Sequence, residues 1–331
     1  MSRALRGSAV LLTAALLWAG ETGKPQGPAP EAKGRSEPAV SSAYQQLLQT
    51  RAPLLLKVRL LRALRTDFRY SSDPKKGEQL ERDIKAAFAQ VLALYEPYLR
   101  EHPEDALAHY DLGLLYYWEG QDEDAAAVQW LRTIELAPDF DPAYNSLAVH
   151  FADAAQHEKA LTYISKALEL NPNVAMYHFN AATFYFNFRK EAMRLFGWDL
   201  PHTWQEILSE YEAALKLEPT NYVFARDYAL SFNFSGYFLV PADLDRARAA
   251  WERALPLAPS RGERVMVLTY LARIASYGKD DEAAKKYVQQ ARELSPENAV
   301  VRYLEERLAR GERLSPPPGL APSAPASGSG P

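Results

Sequence analysis

The chain has 331 residues, 47% hydrophobic and 24% charged, with a formal net charge of −4, 16 Gly, 23 Pro and no Cys. So mild an acidic balance excludes a basic nucleic-acid footprint over the whole chain, and equally a disordered polyanion. Without Cys there is no disulfide scaffold, no Cys-based zinc or iron–sulfur site, no thiol nucleophile and no lipid attachment at an N-terminal Cys.

Arg3 and Arg6 precede an apolar stretch from Ala9 to Ala19, centred on Leu11, Leu12, Leu16 and Leu17. About 12 apolar residues are too few for a membrane helix, which needs ~20. They fit the apolar core of a secretion signal over residues 1–20, so the expected location is periplasmic or secreted. Residues 21–41 carry Pro25, Pro28, Pro30 and Pro38 with three Gly and almost nothing to bury, which predicts a disordered linker.

Residues 42–103 read as a degenerate pair of helices, with Val91, Tyr95 and Tyr98 ahead of Pro103. The first of them is basic: Arg51, Lys57, Arg59, Arg62, Arg65, Arg69, Lys75 and Lys76 stand against Asp67 and Asp73. Such a helix is either the solvated edge of the fold or a peripheral contact with an anionic membrane.

From there six prolines recur: Pro103, Pro138, Pro172, Pro219, Pro259 and Pro296, separated by 35, 34, 47, 40 and 37 residues. A fixed unit with insertions explains the spacing. The unit is cleanest between Asp141 and Pro172. Tyr144, Leu147, Ala148 and Phe151 form one helical stripe, and Ala160, Ile164, Ala167 and Leu168 form a second. Small Ala148 and Ala160 let the two helices approach, and Pro172 stops the second. The same pattern returns as Leu112-Gly113, Tyr116, Ala126, Trp130; as Ala181-Ala182, Tyr185, Tyr211, Ala214; as Tyr228-Ala229, Phe232, Ala247, Trp251; and as Leu271-Ala272, Ala275, Ala284, Val288.

These residues resemble the tetratricopeptide repeat (TPR), a helix-turn-helix unit of 34 residues. The resemblance implies an all-α fold: a right-handed α-solenoid with repeats at about 106–138, 141–172, 175–219, 222–259 and 262–296 within 104–297. Residues 298–310 are expected to be a capping helix and residues 311–331 a disordered Pro/Ser/Ala tail.

In the family, the first helices of the pairs line a concave groove. Carried over, those positions are Tyr110, Tyr117 and Trp118; Asn145 and Asp153; Phe179, Asn180, Phe186 and Asn187; Arg226, Asn233 and Phe234; Arg273 and Tyr277. Aromatic and Arg side chains are what binding hot spots favour, although the same rings could fill the packing between pairs. The carboxylate clamp of some family members is not expected, because Leu114, Val149, Thr183 and Leu230 stand where it needs Asn or a cation. The extra residues between Arg189 and Trp204, and again near Phe234 to Pro241, are rich in aromatics. They read as a lip beside the groove, with Trp198 and Phe238 its candidate contacts, or as helix extensions packed on their neighbours.

No chemistry is signalled. None of the six His forms H-E-x-x-H, and no G-x-S-x-G or phosphate-binding glycine loop occurs. His109 and His178 stand where the repeat often has Trp and read as packed rings. Asp122, Glu123, Asp124, Asp280, Asp281 and Glu282 read as helix caps. The chain is therefore expected to be a non-enzymatic scaffold for a protein or peptide partner, with no cofactor, metal, nucleic acid or integral membrane span. A glycan or small-ligand module of the cell envelope, and a peripheral membrane adaptor, are the alternatives.

Overall fold

The computed structural model describes residues 41–66, 73–317 and Leu320. The signal and linker expectations lie outside them. The described residues form helices and turns, with no strand among them. The helices are α1 (Ser42–Thr66), α2 (Pro74–Glu101), α3 (Ala106–Leu115), α4 (Glu123–Leu136), α5 (Asp141–Asp153), α6 (His157–Leu170), α7 (Ala175–Asn187), α8 (Arg189–Phe196), α9 (Leu200–Leu217), α10 (Tyr222–Ser231), α11 (Leu244–Ala254), α12 (Arg261–Tyr277), α13 (Asp281–Leu294) and α14 (Ala299–Ala309). The pairs are α1/α2, α3/α4, α5/α6, α7/α9, α10/α11 and α12/α13, and α14 closes the array. Substantial contacts fall within a pair or between successive pairs, as in a solenoid.

Several second helices start on acidic caps, although α6, capped by Gln156, does not. Asp122 accepts from the Ala125 N–H at 3.0 Å, Asp243 from Arg246 at 3.0 Å and Asp280 from Ala283 at 3.0 Å. Each satisfies an orphan donor of the first turn. The preceding turn is reversed by a left-handed residue: Gln121, Ala155, Leu239 and Lys279 all have φ between 53° and 67°. None is glycine, so the turn between the two helices accepts local strain in four pairs.

Small residues set the spacing within pairs. Ala148, Ala182, Ala229 and Ala272 are buried at the position Gly113 fills in α3. A methyl on Gly113 would meet Trp130 Nε1 at 2.4 Å, so the Trp130 ring would have to shift to admit any larger residue there.

A second recurring contact ties each pair to the proline that ends its predecessor. His109 Nε2 lies 3.2 Å from the Pro103 carbonyl, Tyr144 Oη donates to Pro138 at 2.9 Å, and His178 Nε2 lies 2.8 Å from Pro172. The other ring nitrogen reaches the second helix, Gln129 from His109 and Glu210 from His178.

Two hydrophobic clusters run through the molecule. One joins α1, α2 and α3 around Val58, Ile84, Val91 and Tyr95. The other extends from Ala126 to Leu320. The N-terminal cluster also contains a polar knot. The Asp111 carboxylate of α3 accepts from Tyr44 Oη at 2.9 Å, from Tyr95 Oη and from the Arg51 guanidinium. Arg51 also donates to Tyr95 Oη at 2.5 Å. Burial, together with the Asp111 charge, pushes both phenols well above their usual range.

Candidate functional site

The first helices α3, α5, α7, α10 and α12 succeed one another along the array and carry the face that the resemblance implies is concave. At its N-terminal end Trp118 projects, 50% exposed, from the single π-helical turn Tyr116–Gly120 that extends α3. Tyr117 packs edge-on against Trp118, 4.9 Å between centroids, and its hydroxyl lies 3.4 Å from Asp153 on α5. Burial pushes the Tyr117 phenol up, helped by the Asp153 charge; burial likewise raises the Asp153 carboxyl.

Further along, Asn180 donates to the Asn145 carbonyl oxygen at 2.8 Å, joining α7 to α5. Arg226 of α10 pairs with Asp227 at 2.7 Å and leaves Asn187, Phe234, Arg273 and Tyr277 partly open beside it in the register. The face thus alternates half-exposed rings, amides and guanidinium groups.

Several predicted groove rings are shared between neighbouring pairs. Phe179 stacks on Phe224 at 4.7 Å, and Tyr110 packs on Phe140 at 5.0 Å. Burial pushes the Tyr110 phenol up to about 12. Phe186 touches Phe234 and Phe238. These rings carry inter-pair packing while keeping an edge on the face.

Two expectations are corrected. Asn233 is buried within the short 3₁₀ segment Phe232–Phe238, so it lies beneath the groove surface. Phe238 is only 1% exposed, held by Trp204 at 5.1 Å and Phe186 at 5.7 Å; it belongs to the core and not to a lip. Its neighbours take the place expected of it: Tyr237 is 62% exposed and Leu239 is also exposed. The tighter 3₁₀ turn, three residues per turn, rotates adjacent side chains by about 120° and decides which ring goes inward.

The longer insertion is an added helix, α8, and the first turn of α9. Trp198 packs at right angles on Tyr185 at 5.1 Å and against Phe196 at 4.5 Å, so the insertion behaves as a packed extension.

The basic character of α1 is largely engaged inside the molecule. Besides Arg51, Arg59 reaches the Glu119 carboxylate at 2.8 Å, and Arg62 contacts both that carboxylate and the Glu119 carbonyl. Glu119 is buried, which makes these cations its counter-charge. Arg69 lies outside the described residues. Sequence reasoning missed an exposed apolar stripe on the same helix, Leu56, Leu60 and Leu64, four residues apart.

An open cleft of about 810 Å³ lies between α9 and α11, lined by Trp204, Glu212, Phe232, Val240, Asp243 and Arg246. Glu212 accepts there from Tyr228 Oη at 2.6 Å and from Arg246 at 2.8 Å. Among the described residues no group of three or more His, Asp or Glu is placed to hold a metal, and no helix is long and apolar enough to cross a membrane.

Of the tail expected to be disordered over 311–331, only residues 311–317 and Leu320 are among the described residues, and there the expectation fails. Residues 312–317 run in an extended path back over α12, and Leu314 and Leu320 are 3% and 1% exposed. The Leu314 N–H donates to Ser276 Oγ at 2.9 Å, and Arg273 Nη1 donates to the Ser315 carbonyl at 3.2 Å. Glu312 anchors the start, pairing with Arg307 at 2.9 Å and Arg310 at 2.7 Å. The sequence held one signal for this: two leucines six apart in a segment otherwise without large apolar residues.

No protein-family model matches the sequence. The fold is similar to that of several solved proteins. The C-terminal part of a TPR repeat-containing protein from Cytophaga hutchinsonii superposes with a TM-score of 0.54 at 14% identity, covering 79% of this chain and 98% of that one. YrrB, a TPR protein with an unusual peptide-binding site, gives 0.50 at 13% identity, covering 64% of this chain and 97% of its own. At such identity the likeness concerns architecture, and on that ground the chain has the fold of a tetratricopeptide-repeat α-solenoid.

Proposed function

We propose that this protein is an exported scaffold or adaptor of protein–protein interactions whose first-helix face holds an extended segment of a partner. The observation that carries the reading is the file of partly exposed rings, amides and guanidinium groups along that face, from Trp118 through Asn145 and Asn180 to Arg226 and Arg273. Such groups match an extended backbone: amides and Arg answer its carbonyls, and rings cover its side chains. A rigid wall has little freedom to lose on binding, so most of the ordering cost falls on the incoming segment. Similarity to YrrB supports the reading at the level of the scaffold. The chain works without a catalytic residue in this account, and its export rests on the Arg3–Ala19 pattern, which cell fractionation checks.

The test uses peptides selected by display against the full chain, with affinity read by fluorescence anisotropy. Trp118→Ala weakens binding about tenfold or more, as for an aromatic anchor. Val128→Ala, on the exposed side of the second helix α4, leaves it unchanged. Equal effects of the two substitutions, or selection of glycans in place of peptides, would overturn the reading.

A further inference from the structure

Resting on that reading, we propose that residues 312–317, together with Leu320, are a built-in occupant of the groove, competing with the partner, and that the partner presents a similar chemistry: a proline-stiffened chain with leucine anchors.

The segment meets what an extended ligand needs. Its backbone is held at two points by residues of the face, the Leu314 N–H by Ser276 and the Ser315 carbonyl by Arg273. Its apolar anchors, Leu314, Pro317 and Leu320, are buried, while Arg313 before them and Ser315 between the first two stay exposed. Pro316 and Pro317 fix φ near −65°, and a residue preceding Pro is confined to extended backbone. A segment of this kind binds at low entropic cost, because it is already nearly straight when free. Arg273 and Ser276 both lie on α12, about one turn apart. The Leu320 N–H returns to the Pro317 carbonyl at 3.1 Å, closing the segment after its second anchor.

Tethering makes this occupant strong. A short linker gives an effective concentration on the order of 1 mM. Any partner reaching the same part of the groove must displace it, and its apparent affinity falls by the ratio of that concentration to the segment's own Kd. An occupant with a Kd of ~100 µM therefore weakens a partner about tenfold.

The experiment uses a fluorescein-labelled synthetic peptide with the sequence of residues 312–323. It is titrated into three proteins: the full chain, the full chain carrying Leu314→Glu and Leu320→Glu, and a chain ending at Gly311. Circular dichroism and melting establish that each is folded. We expect the peptide to bind the last two at least tenfold more tightly than the first, and Arg273→Ala to weaken that binding. Display-selected peptides should gain affinity in the same two variants. Should the truncated chain prove unstable, the double substitution and the exchange rate of the Leu314 amide in the intact protein carry the test, with slow exchange expected. The inference is overturned if the peptide fails to bind folded variants while selected peptides bind all three proteins equally; the groove reading then survives alone. Failure of every peptide on every protein overturns both.

Discussion

Removing the Asp111 carboxylate by Asp111→Ala should uncouple the N-terminal pair from the rest of the array. The carboxylate accepts three hydrogen bonds, from Tyr44, Tyr95 and Arg51, and so joins α1, α2 and α3 at one point. Both Tyr rings are buried, and the side chains of Arg51 and Asp111 are 15% and 19% exposed. Hydrogen bonds to a charged group contribute ~1.5–3 kcal/mol each, and leaving a partly buried cation without its partner costs several kcal/mol more. Residual solvent access and rearrangement of Arg51 toward Tyr95 reduce the sum, so we take a net loss of about 3 kcal/mol. In a repeat array stability is summed over neighbours, so the loss stays near the pair that suffers it. The separate hydrophobic cluster of α1–α3 strengthens that expectation. Hydrogen exchange followed by mass spectrometry reads it directly. Protection of α1 should fall by about a hundredfold, since 1.4 kcal/mol is a factor of ten, while peptides from α6 to α13 keep theirs. Asp111→Asn keeps an acceptor and should lose less. Uniform loss along the array, or an unchanged α1, would refute the reasoning.

Gly113→Ala forces a methyl into the Trp130 ring and should destabilise by ~1–3 kcal/mol, the cost of overpacking, with a shifted Trp emission; a rise in Tm would contradict the packing described. Phe238→Ala should cost ~3–5 kcal/mol as a buried aromatic truncation, whereas Tyr237→Ala should change stability by less than ~0.5 kcal/mol as a surface change; paired thermal melts decide, and the reverse order would show that the inward ring is misassigned. Burial works against the charged form of His178, yet its bonds to Glu210 and the Pro172 carbonyl raise its pKa above 6.5 overall. Its contribution is then fully present below about pH 6.5 and is lost as pH rises through the higher folded value. Melts between pH 5.5 and 8.5 should show Tm declining with pH in the native chain and a flatter profile in His178→Phe; identical slopes would contradict the assignment.

The proline spacing and the Ala stripes carried the pairs because each encodes a steric demand, a helix stop or a close approach, that tertiary context cannot override. The small-residue position shared by Gly113, Ala148, Ala182, Ala229 and Ala272, by contrast, was legible only in part: glycine at 113 reflects Trp130 across the pair, a contact that needs both helices in place. The inward turn of Phe238 and the outward turn of Tyr237 were not legible, since a single change from α to 3₁₀ winding exchanges them. Nor was the reversal at Gln121, Ala155, Leu239 and Lys279, where residues with no preference for positive φ are held there by the helices on either side. Composition misled at the C-terminus. A segment of Pro, Ser and Ala reads as solvated, yet Leu314, Pro317 and Leu320 are buried, and α12 offers Ser276 and Arg273 to the backbone there. Rings such as Phe179 and Tyr110 serve adjacent pairs as well as the face, a sharing that spacing along one helix does not reveal.

Hydroxyl-radical footprinting of the full chain, with and without a saturating display-selected peptide, tests the central claim most directly, because it reports the exposure of each side chain. The account predicts protection at Trp118, Phe234 and Tyr277 on the first-helix face, with Val128 and Tyr303 oxidised as before. Protection centred on Val128 or on the cleft between α9 and α11, with Trp118 unaffected, would contradict it.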